Sequence, residues 1–248
     1  MTDTTAPTGR EFRIGPIFTR SWSIYAANFL IFTVVAIVTV LPHQLGGDPQ
    51  TTGGAVQTFV AAIVGWILQF IGQAVILYGA FQAMRGRPVV LGDGLRRAFS
   101  RFLPLLAISI LVFIGLAIGF MLLIVPGIIL AMRWAVAVPA CVVENLGPIS
   151  SLRRSAELTK GHRWKIFGMT VLILVLFIIA LVIVGALVGT GVVVVPQGVG
   201  RGLLAAILFV IISGIVTAYF NVIAAMIYHD LRTVKEGVNT EEIAAVFD

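Results

Sequence analysis

Arg133 is the ionisable residue with the clearest potential for chemistry, because it interrupts the apolar stretch from Leu103 to Val143. An arginine at the centre of a membrane helix costs roughly 2.5 to 3.5 kcal/mol on insertion scales and is seldom retained without a use. Arg133 could contact an anion or a lipid phosphate inside a helical bundle. Alternatively, its side chain could extend to the membrane surface, with Trp134 beside it as an interfacial aromatic residue. The sequence leaves both interpretations open.

Glu144 is the nearest acidic residue downstream of Arg133, and it follows eleven residues later. That spacing is close to three helical turns, so the two side chains share a face but lie roughly 16 Å apart along the axis. They cannot pair directly within one helix. We therefore expect each of them to find a partner elsewhere in the bundle, or water.

A second set of candidate anion-binding residues is basic and flanks the apolar stretches. Its members are Arg96, Arg97, Arg101, Arg153, Arg154, Lys160, Arg163 and Lys165. The formal net charge is +6. Since these cations border apolar runs rather than forming a dedicated patch, we expect anionic phospholipids as partners and no nucleic acid. Other membrane-protein subunits, or a second copy of the chain, are further candidate partners.

Three amides lie within apolar stretches and are candidates for helix packing. Gln69 and Gln73 are one turn apart, and Asn221 lies near the other end of the chain. Amides in membrane helices usually form interhelical hydrogen bonds. A polar translocation path is the alternative, but such paths normally contain buried carboxylates, and the middle thirds of these stretches have none. We therefore favour packing.

Recognisable catalytic machinery is missing from the sequence. His43, His162 and His229 are dispersed, and neither a His-Glu-x-x-His zinc motif nor a Gly-x-Ser-x-Gly elbow occurs. A phosphate-binding glycine-rich loop with lysine is also missing. His229 and Asp230 are adjacent, so on a helix their side chains would point about 100° apart. We expect no enzyme, no metal site and no cofactor.

The composition predicts an all-α, polytopic integral membrane protein. Hydrophobic residues make up 59% of the chain, charged residues 11%, and the mean hydropathy is +1.05. A spanning helix needs about 20 mainly apolar residues, and six stretches satisfy this. The predicted spans cover about residues 24–41, 56–84, 103–125, 128–143, 166–189 and 203–228. They form a membrane domain over residues 14–235, between a flexible tail at 1–13 and a C-terminal tail at 236–248.

Prolines mark the predicted ends of two spans. Pro42 ends the first, and Pro126-Gly127 divides the long apolar stretch into the third and fourth spans as a tight hairpin. Residues 190–202 are ambiguous, because four consecutive valines before a proline favour an extended chain as much as a helix.

The distribution of basic residues predicts the orientation. With six spans, fifteen of the 17 Lys and Arg residues fall on one side, Arg201 alone falls on the other, and Arg133 lies within a span. Cytoplasmic loops retain positive charge. We therefore expect both tails in the cytoplasm and the chain in a bacterial inner membrane.

A faint internal repeat accompanies this pattern. Segments that begin at Gly15, Gly92 and Gly147 are short and basic, and each leads into an odd-numbered span. They predict three hairpins, each preceded by an interfacial amphipathic helix. The residues expected on the apolar faces of these helices are Ile14, Ile17, Phe18, Ser21, Trp22 and Tyr25; Leu91, Leu95, Phe99 and Phe102; and Ile149, Leu152 and Ala156. Chance similarity among juxtamembrane helices is the alternative.

Residues 126–144, 147–168 and 228–232 resemble the membrane domain of the glycerophosphoryl diester phosphodiesterase family and related multi-span bacterial proteins. In full-length relatives, a separate soluble domain carries the activity, with paired histidines and metal-binding carboxylates that nothing here matches. The resemblance implies the six-helix architecture. It also implies that the segment SLRRSAELTKG, residues 151–161, faces lipid or a partner.

These observations together favour a non-enzymatic inner-membrane protein that interacts with lipid, or that serves as a scaffolding or accessory subunit. The alternative is a transporter that moves a small anionic solute or a lipid through the helical bundle. Such a transporter would use Arg133 to contact the anionic group.

Overall fold

The computed structural model describes residues 14–45, 51–189 and 199–236, and this part of the chain is helical without a strand. The all-α prediction is therefore confirmed. The predicted tail at 1–13 and nearly all of that at 236–248 lie outside the described residues, as do residues 190–198 of the ambiguous segment. The helices are α1 (Ile14–Ala27), α2 (Phe29–Val40), α3 (Thr52–Met84), α4 (Leu91–Ser100), α5 (Phe102–Leu122), α6 (Ile124–Arg133), α7 (Ala137–Glu144), α8 (Pro148–Thr159), α9 (Arg163–Gly189) and α10 (Val199–Glu236).

Five helical segments in the described part are long and apolar enough to cross a bilayer, and a bent helix pair is a sixth candidate. The five are α3, α5, α6 with α7, α9 and α10, and the bent pair is α1 with α2. The chain is thus a multi-span membrane protein, as the hydropathy predicts.

The first predicted span, about residues 24–41, is not one straight helix. α1 and α2 meet at an angle of 88°. Asn28 lies at the bend, where its side-chain amide donates to the carbonyl of Ile24 at 3.0 Å. Such local hydrogen bonds compete with a continuous helix. α2 has only 12 residues, or about 18 Å of rise, so it does not reach across a hydrocarbon core of about 30 Å by itself.

The hairpin between the third and fourth spans turns at Leu123, and not at Pro126-Gly127 as predicted. Leu123 is extended, with φ −165° and ψ 153°. Pro126 lies in the first turn of α6, where a missing backbone N–H leaves no bond unmade. Gly127 allows the two helices to approach, because a Cβ atom there would lie 2.5 Å from Cδ1 of Phe120. The glycine therefore serves packing of the hairpin and not its turn.

Glycines also allow the close packing of α2 in the centre of the bundle. A Cβ atom at Gly72 of α3 would collide with Thr39, one at Gly79 with Phe32, and one at Gly214 of α10 with Ile37 of α2. These contacts bring α2 against both α3 and α10. Small residues have this role in many membrane helix pairs.

The three predicted packing amides take different positions. Asn221 is buried, and its side-chain amide donates to the carbonyl of Thr217 on its own helix at 2.9 Å. Gln69 and Gln73 are half-buried on α3. The close approaches at Gly72, Gly79 and Gly214 join α2 to its neighbours, and the role of the three amides in packing stays a prediction.

The three short helices α1, α4 and α8 each precede a helical pair, which matches the predicted repeat. Of the three, α4 leaves most of its predicted apolar face uncovered, with Leu91, Leu95 and Phe99 exposed. In α1, Ile17 and Tyr25 of the predicted face are buried in the core. α1 is therefore part of the packed bundle, whereas α4 offers an apolar surface to its surroundings.

The buried face of α8 overlaps only in part with the apolar face that its sequence suggests, of which Leu152 packs against the core. Its buried residues include Ser151, Ser155 and Thr159, which follow an i, i+4, i+8 pattern. Of the predicted apolar face, Ile149 is 76% exposed, whereas Ala156 is buried. A row of hydroxyl groups thus faces the interior of the protein, where Ser155 and Thr159 donate hydrogen bonds to backbone carbonyls.

Candidate functional site

The hydroxyl row of α8 closes a break in the fourth span. α6 ends at Arg133 and α7 begins at Ala137, and at this break the Arg133 carbonyl and the Val136 amide bond to a side chain of α8. The Ser155 hydroxyl donates to the carbonyl of Arg133 at 2.9 Å and accepts from the Val136 amide at 3.2 Å. One side chain therefore satisfies both sides of the break, in a place where an unmade hydrogen bond is costly. The hydrogen bond from Ser155 thus fixes the backbone of Arg133, while the Arg133 side chain is exposed.

A cluster of five polar residues joins α7, α8 and α10, and we call it the ion cluster. Its members are Glu144, Arg154, Tyr228, Arg232 and Glu236. The Arg154 Nε atom lies 2.9 Å from both carboxylate oxygens of Glu144. The Tyr228 hydroxyl donates to Glu144 Oε1 at 2.6 Å. Glu144 therefore pairs with Arg154 and Tyr228, and not with Arg133.

The other half of the ion cluster involves the end of α10. The Arg154 guanidinium also pairs with Glu236, whose second oxygen lies 3.0 Å from Nε of Arg232. Burial alone would lower the pKa of Arg154, but the hydrogen bonds and charges of Glu144 and Glu236 outweigh it and raise the pKa. The Arg154 guanidinium is therefore engaged within the protein.

Two further predicted anion-binding residues cap the C-terminus of α7. Arg97 donates to the carbonyl of Val142 at 3.1 Å and to Asn145 Oδ1 at 2.8 Å. Arg101 donates to the carbonyl of Asn145 at 3.2 Å. Asn145 ends the helix in the left-handed region, with φ 56°, which leaves carbonyls of the last turn without helical partners. Arg97 and Arg101 satisfy these groups.

The remaining predicted lipid contacts lie at the surface. Arg96, Arg153, Lys160 and Lys165 are exposed, and Arg163 is half-buried at the start of α9. The structure therefore divides the predicted set in two. Three arginines have identified partners within the protein, and the others line its outside.

A groove of about 200 Å³ between α6 and α9 brings one of these surface cations against an apolar wall. We call it the α6–α9 groove. It is lined by Ile128, Ile129, Met132, Arg163, Trp164 and Phe167. Within the described residues, the buried Nε atom of Arg163 has no hydrogen-bond partner. The groove thus combines hydrocarbon contacts with an unused cationic donor.

Trp164 borders the α6–α9 groove and is 82% exposed. Its ring meets that of Phe167 edge to face, with centroids 5.9 Å apart. Tryptophan is enriched where membrane headgroups meet acyl chains. Sequence reasoning missed the groove, although two local signals pointed to it. These are the Arg163-Trp164 pair and the i, i+1, i+4 spacing of Ile128, Ile129 and Met132, in which Met132 lies one turn from both isoleucines.

The described residues contain no group of three or more His, Cys, Asp or Glu side chains that could hold a metal ion. The chemistry of this region is therefore described by its guanidinium groups, carboxylates and apolar walls. The α6–α9 groove places one cationic group beside an apolar wall, which are the two kinds of contact that an anionic amphiphile needs.

The fold and this region define a polytopic helical membrane domain with a charged cluster at one end of its bundle. The chain belongs to the family described as the membrane domain of glycerophosphoryl diester phosphodiesterase, whose model matches residues 114–245, slightly more than half of the 248 residues. The match includes the ion cluster and the α6–α9 groove, so the predicted resemblance is confirmed. No curated protein and no solved structure matches this chain.

Proposed function

We propose that this chain is a non-enzymatic protein of a bacterial inner membrane that binds anionic phospholipid in the α6–α9 groove. The observation that carries this proposal is the buried Nε of Arg163, which has no hydrogen-bond partner within the described residues and lies beside an apolar wall. A lipid phosphate would accept from this guanidinium. Its acyl chain would lie along Ile128, Ile129 and Met132.

Charge around the groove supports an anionic ligand. Lys160 and Lys165 are exposed on either side of Arg163 in the sequence. Each basic residue near an anionic membrane surface contributes about 1 kcal/mol of attraction, which falls off within a Debye length. The two lysines would therefore attract the headgroup, and Arg163 would fix its position through directed hydrogen bonds.

The helix α4 supports an interfacial position for the same end of the bundle. Its exposed Leu91, Leu95 and Phe99 suit the acyl boundary, and Arg96 is exposed on the same short helix. With Arg97 and Arg101 bound to the end of α7, α4 couples a membrane-facing surface to the core. By the distribution of Lys and Arg, we place this end and both termini in the cytoplasm.

The non-enzymatic part of the proposal rests on the sequence, which carries none of the catalytic motifs considered above. A lipid-bound membrane domain of this kind would serve as a scaffold or accessory subunit. Its protein partner would be another membrane subunit or a second copy of the chain. Native mass spectrometry of the gently extracted complex reports subunits and lipids together.

The test of lipid binding is the substitution Arg163→Gln in the full-length chain. Losing a hydrogen bond to a charged group costs about 1.5 to 3 kcal/mol, so phosphatidylglycerol or cardiolipin should bind roughly ten- to a hundred-fold more weakly. Native mass spectrometry would count the retained lipids. Arg153→Gln is the matched control, because Arg153 is exposed on α8 and does not line the groove. Equal lipid retention by Arg163→Gln and wild type would refute the proposal.

A further inference from the structure

A second cavity, of about 280 Å³, lies where α1, α3 and α10 meet. Its lining includes Arg20, Ser23, Met84, Met226 and His229. It shares no lining residue with the α6–α9 groove. α1 and α3 also lie outside residues 114–245, the part of the chain that the family model matches. The cavity is therefore a separate feature of this chain.

His229 is the polar group that marks this cavity. It is 9% exposed, and within the described residues neither ring nitrogen has a hydrogen-bond partner. The nearest charged neighbour on its own helix is Asp230, whose Oδ1 lies 3.6 Å from Nδ1, too far for a hydrogen bond. Buried polar atoms are nearly always paired in folded proteins. An unpaired imidazole that lines a cavity thus points to a ligand there.

The groups around His229 determine what that ligand would be. α1 contributes the exposed guanidinium of Arg20 and the hydroxyl of Ser23, which are one turn apart on the same face. α3 contributes only Ala83 and Met84, and α10 adds Met226. The polar lining is therefore a cation, an imidazole and a hydroxyl, without a carboxylate among the lining residues. This combination suits an anionic oxygen group.

We propose that the cavity between α1, α3 and α10 binds a phosphate group through Arg20 and His229. Arg20 supplies a planar set of donors that matches phosphate oxygens, and the His229 ring adds an N–H donor from the buried side. Ser23 completes the polar wall. Met84 and Met226 form an adaptable apolar wall, which accommodates the rest of a phosphate-bearing molecule.

A thiol placed in the cavity tests this proposal locally. Ser23→Cys introduces it at an exposed position, and Cys141→Ala removes the one native cysteine, which is buried. The full chain in phosphatidylcholine nanodiscs is treated with an uncharged maleimide. One arm adds inorganic phosphate, and the other includes phosphatidylglycerol in the nanodisc. Ligand at about ten times its Kd leaves roughly a tenth of the sites empty, so labelling should slow about ten-fold.

The two arms identify the source of the phosphate. Protection by both probes indicates a site for phosphate itself, and protection by phosphatidylglycerol alone indicates a lipid headgroup. Either result supports the proposal only if protection falls to about two-fold or less in Arg20→Gln, whose exposed side chain contributes little to folding. His229→Gln should have the same effect. The proposal is overturned if neither probe protects, or if Arg20→Gln leaves protection intact.

The variant Arg163→Gln separates this cavity from the proposed lipid function. Protection of the introduced thiol should be unchanged in that variant, because Arg163 belongs to the other site. Loss of protection in Arg163→Gln would show that the cavity has no ligand of its own. Loss of retained lipid in Arg163→Gln with full protection of the introduced thiol would support two independent sites.

Discussion

The ion cluster and the α6–α9 groove both contain arginines that the sequence marks as anion-binding, yet they differ in what those arginines contact. Arg154 lies between Glu144 and Glu236, so its charge is satisfied by the protein. Arg163 presents a buried Nε that lacks a hydrogen-bond partner within the described residues. A cation near an apolar span is therefore not evidence of ligand binding until its own partners are known. We therefore assign a structural role to the ion cluster and propose a binding role for the α6–α9 groove.

The strongest test of this difference is the substitution Arg154→Gln. It leaves the carboxylates of Glu144 and Glu236 without their shared partner. Breaking a buried pair costs about 3 to 5 kcal/mol. The Arg154 and Glu144 side chains are 22% and 15% exposed, so we expect about 2 kcal/mol after screening by solvent. Thermal unfolding in nanodiscs measures the loss.

Arg153→Gln controls for the change in net charge, since it removes the same charge from the next residue of α8. Its effect should stay within about 0.5 kcal/mol, as for most surface substitutions. Equal stability of the two variants would mean that the ion cluster does not hold α7, α8 and α10 together.

The closure of the helix break gives a second, smaller effect. Ser155→Ala removes the hydroxyl that bonds Arg133 and Val136. The Arg133 carbonyl keeps the Thr159 hydroxyl as a donor at 3.3 Å, so the main loss is at the buried Val136 amide, and it should cost about 1 to 2 kcal/mol. Ser150→Ala is the matched control, because Ser150 is exposed on the same helix. A melting temperature for Ser155→Ala equal to that of the control would contradict the role assigned to α8.

These interactions show what could be predicted from the sequence. Hydropathy and the distribution of Lys and Arg predicted the helical class and most of the spans. They could do so because a span is defined by about 20 consecutive residues. The pairing of Arg97 with Asn145, separated by 48 positions, depends on how α4 meets α7. Likewise, nothing local shows that Tyr228 and Arg154 both contact Glu144.

The hairpin turn was misplaced for a different reason. A Pro-Gly pair usually marks a turn, but proline also fits the first turn of a helix and glycine also fits a close helix contact. The structure uses the second option for both residues. Only the position of Phe120, against which Gly127 packs, decides between them.

The substitution Arg163→Lys separates the charge of Arg163 from the geometry of its hydrogen-bond donors. Lysine keeps the charge but lacks the Nε–H and the planar set of donors. We expect phosphatidylglycerol to bind roughly five-fold more weakly, about 1 kcal/mol, which is less than the loss in Arg163→Gln. Titration of the lipid against each variant in phosphatidylcholine nanodiscs measures this order. If Arg163→Lys and Arg163→Gln bind lipid equally weakly, the geometry of the guanidinium, and not its charge, determines the affinity for lipid.

The loop before α9 gives the smallest effect. Burial, followed by the charges of Lys165 and Lys235, lowers the pKa of His162. The folded protein therefore favours neutral His162, and this contribution to stability is present above the ordinary histidine pKa and is lost as the pH falls through it. His162→Gln should reduce the loss of melting temperature between about pH 7.5 and pH 5.5. An unchanged pH dependence would show that another group is responsible.

We propose that a lipid phosphate pairs with the Nε atom of Arg163, which has no hydrogen-bond partner within the described residues. An experimental structure of the full chain in nanodiscs that contain phosphatidylglycerol tests this most directly. We predict density for a phosphate oxygen about 2.7 to 3.2 Å from Arg163 Nε, with an acyl chain along Ile128, Ile129 and Met132. A groove without lipid, or an Arg163 guanidinium paired with a protein carboxylate, would contradict the claim.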